Sequence, residues 1–223
     1  MCSRLRGAAA AGRGAVLNRR PPAIFVGDAL GLDFLNSIAT PVDTVVDWIG
    51  DGEGYLRWLE QAALVPGDVL GDIRARARPG ELDSVADQAR TLREWFRGFV
   101  LRHKGRPLTA EALAELAPLN RLLARDEIFR RIAVPPAGQV PFELQAVRRW
   151  RSPGALLLPV GVALAQLVCA ENFALVKACE GPACSLLFAD HTRGHVRRWC
   201  SMAICGNRAK QAAHRSRLRV RRP

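Results

Sequence analysis

Over residues 81–103 apolar side chains recur every three or four positions: Leu82, Val85, Ala89, Leu92, Phe96 and Phe99. That interval turns one stripe of a helix toward a core and predicts a long amphipathic helix, which Gly105-Arg106-Pro107 stops. The same interval predicts a shorter helix over 55–64, and Pro66 starts another. Leu113, Leu116, Leu119, Leu122 and Leu123, behind a threonine cap at Thr109, predict a further helix over 109–124. The period then changes. Residues 128–134 and 140–150, on either side of Pro135-Pro136-Ala137-Gly138, predict two paired strands. Residues 156–176 are apolar nearly throughout and read as a buried helix. No run approaches the ~20 apolar residues of a membrane span, because Pro159, Gly161 and Gln166 interrupt this one.

Near the start, Ile24-Phe25-Val26 reads as a short strand and Gly27-Asp28 as a turn. An apolar run to Ile38 follows, with Asp33 and Asn36 inside it. Three residues apart on a helix, these two share a face. They either line a pocket for a small ligand or tie the preceding turn by side chain–backbone bonds. The loop within 42–54 contains GDGEG, whose Asp51 and Glu53 make it a poor phosphate cradle. Arg93 and Arg97 on the long helix are expected to be exposed or to meet an anionic ligand.

Charge divides the chain. The net charge is +12. Residues 191–223 carry ten Lys and Arg and no acid, and residues 1–22 carry five Arg and no acid. The middle is slightly negative, so the basicity belongs to the ends, mainly the C-terminal one, and implies an anionic partner. Residues 1–22 read as a disordered basic arm. Arg13 breaks the apolar run a secretory signal needs, so the expected location is the cytoplasm. There disulfides are disfavoured, and clustered cysteines become metal ligands.

Four cysteines cluster: Cys179 and Cys184, then Cys200 and Cys205, each pair separated by four residues. Two close pairs around a short insert bring four thiolates to one ion, and a closed thiolate shell favours a single structural Zn2+. His191 and His195 are alternative ligands that a full thiolate set makes unnecessary. Cys169 is expected in the core. Within the insert, residues 186–189 read as a strand, DHTRGH as a turn and residues 196–199 as the returning strand. After Gly206 the residues favour a helix. The order knuckle, β-hairpin, knuckle, helix is treble-clef-like.

The run Arg197-Arg198-Trp199-Cys200, with Ser201-Met202, Cys205-Gly206-Asn207-Arg208 and Lys210, after Phe188 and Asp190, resembles the CGNR zinc-finger family over about 177–217. The opening FVGDALGLDFLNS at 25–37 resembles the ABATE domain usually joined to that finger. The resemblance implies a stress-induced transcription regulator whose front α+β domain senses a small ligand. The expected organisation is therefore a mainly helical α+β ligand-sensing or dimerisation domain over 23–176, then the zinc finger with its basic helix and tail over 177–223.

On a helix after Cys205, Asn207, Lys210 and Arg217 share one side, and Arg208 and Arg215 another. Guanidinium forks suit guanine edges and an amide suits adenine, while Arg197 and Arg198 suit phosphates. Asn207 and Arg208 adjoin a ligand, and bracing of the metal knuckle is the alternative to base contact. No catalytic motif is present: H-E-x-x-H, G-x-S-x-G and a Walker A loop are all missing. The reading is a non-enzymatic regulator that binds double-stranded DNA, with a small-molecule effector, a homodimer as a further option and no membrane partner. The rival is a ligand-binding protein or enzyme whose finger contacts protein or RNA.

Overall fold

A computed structural model describes residues 20–40, 44–135 and 141–220 of the chain. Its centre is the long helix α4, counted in chain order after α1 (Leu30–Leu35), α2 (Gly52–Gln61) and α3 (Gly67–Arg76). α4 spans Glu81–His103, the range the apolar interval predicts. Val85, Ala86, Ala89, Phe96, Phe99 and Val100 turn inward from it and are buried. α2 covers one flank with Tyr55, Leu56, Trp58 and Leu59. It starts at Gly52, inside the expected loop, because the Asp51 side chain accepts from Gly54 N at 2.7 Å and caps it. On the other flank lie α5 (Ala117–Leu123) and α6 (Leu157–Ala170). Tyr55 Oη donates to Leu156 O at 2.9 Å, joining α2 to the turn that opens α6.

α1 packs across α6 at a glycine. A Cβ at Gly31 would lie 2.9 Å from Ala163 O and from Leu167 Cβ, so only a bare backbone lets these helices approach so closely. The stretch Pro153–Ala170 is long and apolar enough to cross a membrane, contrary to the sequence expectation, and half of it is buried inside the protein. Leu156, Val160 and Leu164 are fully enclosed, so the stretch serves here as a core helix.

Three two-stranded antiparallel sheets complete the described residues. β1 (Ile38–Ala39) pairs β2 (Val46–Asp47); β3 (Ile128–Ala133) pairs β4 (Glu143–Arg148), with Ile128 opposite Arg148 and Ile132 opposite Leu144; β5 (Val176–Ala178) pairs β6 (Leu187–Ala189). The α+β expectation holds: a mainly helical body with small sheets, followed by the cysteine cluster.

The local differences have physical causes. Residues 24–26 form no strand, because the amides of Val26 and Gly27 turn inward to the Asp33 carboxylate. The helix expected over 109–124 is a 3-10 turn over Ala110–Leu116 followed by α5. Pro118, which lacks an amide, is accommodated where the α-helix restarts. The helix expected over 156–176 stops at Ala170. Asn172 caps a separate turn over Phe173–Leu175, and Val176 enters β5. Cys169, expected in the core, is exposed.

Arg93 is also unlike its expectation. It is 2% exposed, and its guanidinium grips both Asp47 oxygens at 2.9 Å and Ser37 Oγ at 3.0 Å, tying α4 to β2 and to the residue just before β1. Of the arm expected over 1–22, residues 1–19 lie outside the described ones. Arg20 pairs with Asp51 at 2.6 Å, and Pro21 O accepts from Trp48 Nε1 at 2.7 Å.

Candidate metal centre and basic helix

β5 and β6 are two arms of one hairpin whose tip is the first cysteine knuckle. Cys179 N donates to Leu186 O at 2.9 Å and Cys184 N to Gly181 O at 3.0 Å, folding residues 179–184 into a tight loop. Ala183 takes a positive φ of 59° to close it. The chain leaves β6 at Asp190, which is fully buried. Its carboxylate accepts from Lys177 Nζ at 2.7 Å, Thr192 Oγ1 at 2.5 Å, Thr192 N at 3.1 Å and Arg197 N at 2.9 Å. Burial works against the charge, but these donors outweigh it and hold the carboxyl well below the usual range.

Residues 196–199, expected as the returning strand, form none. Their backbone bonds go elsewhere: Arg197 N to Asp190, and Arg198 O to Glu180 N at 2.9 Å. The second knuckle follows. Ser201 Oγ accepts from Ile204 N at 2.9 Å and caps a π-helical turn, Met202–Gly206, which carries Cys205 and runs directly into α7 (Asn207–Val220).

The four sulfurs of Cys179, Cys184, Cys200 and Cys205 lie within 4.8 Å of one another, and the Cys184–Cys200 pair is 4.0 Å apart. Four thiolates at the usual zinc–sulfur length of about 2.3 Å would sit about 3.8 Å apart on a tetrahedron, so the set suits one zinc ion. Its surroundings fit as well. Cys179 Sγ accepts from Cys200 N at 3.2 Å and Gly181 N at 3.4 Å. Cys205 Sγ accepts from the Arg208 guanidinium at 3.4 Å. Such bonds orient thiolates and disperse their charge. Gly181 is required here, because a Cβ on it would lie 2.8 Å from Cys205 Sγ.

Four thiols this close repel one another once ionised. The Cys200 thiol beside Cys184 holds Cys184 below the ordinary thiol value, whereas the bond to Cys184 and burial push Cys200 up. Burial raises Cys205 to about 11. A dication at the centre removes that repulsion, so metal binding would release protons. His191 faces Glu171 at 3.0 Å instead, and His195 Nδ1 donates to Asp190 O at 2.8 Å.

The basic residues separate into two kinds. Arg197 belongs to the scaffold. Its guanidinium donates to Val26 O at 2.9 Å, to Cys200 O and to the Asp28 carboxylate, and lies 4.2 Å over the Phe188 ring. Asp28 holds a positive φ of 58° to meet it. Arg208 Nε donates to Ile204 O at 2.8 Å, so its side chain spans the turn that carries Cys205. Arg198 is more exposed, with a 2.6 Å bond to Glu180. Asn207, Lys210, Gln211, His214 and Arg215 stand exposed on α7. The Arg217 side chain lies outside the described residues.

Asp33 and Asn36 both bind backbone. Asp33 Oδ1 accepts from Val26 N and Gly27 N, each at 2.8 Å. Burial still pushes its carboxyl up to about 6, against the pull of those two amides. Asn36 exchanges hydrogen bonds with Leu187 of β6. Neither lines the groove of about 440 Å3 between α4, α5 and α6, whose walls include Gln88, Thr91, Leu92, Trp95, Leu122 and Leu157.

Sequence reasoning passed over Asp190 as a hub and Gly181 as a cradle. Asp190 carried a signal: it is the last acid before the acid-free C-terminal stretch. Gly181 carried none, because its need appears only once Cys205 folds against it.

Residues 28–171 match the family model of ABATE, described as a putative stress-induced transcription regulator, and residues 176–218 match that of the CGNR zinc finger. No curated protein matches the chain.

Proposed function

The chain belongs to the ABATE family and carries a CGNR zinc finger, and from that premise we propose a zinc-stabilised transcription regulator that presents α7 to double-stranded DNA. The observation that carries this reading is the helix itself. α7 leaves the cysteine knuckle without a linker, and Asn207, Lys210, Gln211, His214 and Arg215 are exposed on it with no acid among them. Amide and guanidinium groups of this kind hydrogen-bond base edges in a major groove, and lysines and arginines neutralise phosphates.

Zinc, when bound, supplies structure: it closes two knuckles into the base from which the helix projects. Arg198, Lys210 and Arg215, with Arg217 further along, are the phosphate or base contacts in this proposal. Arg197 and Arg208 hold the knuckle. The groove between α4, α5 and α6 is assigned to a small effector, since Asp33 and Asn36 are committed to backbone partners.

The test is a mobility-shift series with random duplex DNA, and with single-stranded RNA beside it, over rising salt. The expected result is duplex binding with a steep salt dependence. Replacing Lys210 and Arg215 together by alanine should flatten the log–log slope by about 2. Absence of duplex binding at ~50 mM salt, or stronger binding to RNA, would sink the proposal.

A further inference from the structure

Between the end of α3 and the turn that opens α6 lies a cavity of about 180 Å3 whose wall is rich in arginine. Arg76 ends α3, Arg78 lies in the link to α4, and Arg151 precedes the turn before α6, so two segments far apart in sequence bring the three together. Ile73 and Trp150 supply the apolar part of the wall. The cavity shares no lining residue with the groove between α4, α5 and α6.

The positive charge here is poorly compensated. Glu81 is the acid in the wall, and its Oε2 accepts from the backbone amide of Arg78 at 3.0 Å. Among the described residues neither Arg76 nor Arg78 forms an ion pair. Arg76 Nε donates to Asp72 O at 3.2 Å, a bond that uses only one of its N–H groups. Arg151 binds Glu127 through Nε and Nη2 and keeps Nη1 out of that pair. A recess lined by one sign of charge concentrates ions of the other sign.

Guanidinium groups recognise carboxylates and phosphates through paired N–H bonds. A carboxylate offers two oxygens in one plane. A phosphate monoester offers three around phosphorus and carries about −1.5 to −2 charge at neutral pH. Phosphate is therefore the anion that several guanidinium groups can share. We propose that this cavity binds the terminal phosphate of a small phosphorylated molecule, with Arg76 and Arg78 on the phosphate and the carrier against Trp150 and Ile73. The recess selects a terminal group: a nucleic-acid phosphodiester continues on both sides and is met by projecting side chains, whereas a chain end enters a cavity. Bound there, the ligand joins the α3–α4 link to the entry of α6. The proposal depends neither on DNA binding nor on the occupant of the larger groove.

Calorimetric titration of the full, zinc-loaded chain, freed of excess zinc and held at constant ionic strength, tests it with inorganic phosphate and phenyl phosphate as probes. Both should bind one to one. Arg78→Gln and Arg76→Gln should each weaken binding about tenfold, the order of one lost charge-assisted hydrogen bond, while zinc content and far-ultraviolet circular dichroism stay unchanged. The double variant Lys210→Ala, Arg215→Ala should bind both probes like the wild type, and duplex DNA should not displace phenyl phosphate from it. No saturable binding of either probe would overturn the proposal, as would weaker binding of the phenyl ester than of inorganic phosphate. So would Arg76 and Arg78 variants that bind like the wild type. Loss of binding in the Lys210, Arg215 variant would place the phosphate on α7 instead, and displacement by duplex DNA would make the cavity a nucleic-acid contact; either result refutes a small-molecule site.

Discussion

Asn36 and Leu187 exchange two hydrogen bonds across 151 residues of sequence: Asn36 Nδ2 donates to Leu187 O at 2.8 Å, and Leu187 N donates to Asn36 Oδ1 at 2.9 Å. The amide side chain imitates a neighbouring strand, satisfying backbone groups that β6 turns away from β5. Through it the C-terminal end of α1 is joined to the hairpin that carries the first cysteine pair. Ala189 N donating to Gly27 O at 2.9 Å and Arg197 binding Val26 and Asp28 extend the same seam.

Asn36→Ala would leave a buried N–H and C=O of Leu187 without partners. The expected loss is about 3 kcal/mol of unfolding free energy, read by chemical denaturation of the zinc-loaded protein. A loss within experimental error would show that water or a backbone shift replaces the amide.

Metal retention and DNA contact should separate by residue. Gly181→Ala forces a methyl against Cys205 Sγ, and Arg208→Ala removes a donor to that sulfur. Arg208→Ala should weaken zinc binding about 10–100-fold, the usual cost of losing an outer-shell partner, and Gly181→Ala, which keeps its amide but crowds Cys205 Sγ, should weaken it as well. Replacing Lys210 and Arg215 should leave zinc untouched. Competition with a chromogenic chelator measures this. Equal zinc affinity in Arg208→Ala and the wild type would move Arg208 from the scaffold to the nucleic-acid contacts.

Asp33 gives a pH signature. Its folded carboxyl is raised to about 6 by burial, whereas its ordinary value is 3.8. The folded state therefore binds this proton more tightly than the unfolded state. The resulting stability is fully present below about pH 4 and is lost as pH rises through 6. Asp190 acts oppositely, since its carboxyl is depressed: it stabilises above its ordinary value and fails in acid. Asp33→Asn should keep an acceptor for the Val26 and Gly27 amides and flatten the decline between pH 4 and 6. Melting temperatures over pH 4–8 would show it, and an unchanged slope would exclude Asp33 as its source.

Much of the molecule was legible because local rules decided it. The boundaries of α4 follow from one apolar stripe and a stop at Gly105-Arg106-Pro107. The paired strands around Pro135 follow from alternation. The cysteine cluster follows from two close pairs whose spacing suits one shared ion. The helix after Gly206 follows from good helix formers with no breaker.

Tertiary structure decided where each polar side chain finds its partner. Arg93 and Arg197 read alike as surface cations, yet the fold buries one against Asp47 and wraps the other around the second knuckle. Residues 196–199 had the composition of a strand, but Arg197 N is bonded to Asp190 and Arg198 O to Glu180 N instead of to β6. Asp33 and Asn36 share a helical face, and packing sends one to its own turn and the other to Leu187. Periodicity is written along the chain because it concerns neighbours three or four residues away. The destination of a buried hydrogen bond depends on groups brought together from distant parts of the chain, so only the folded arrangement specifies it.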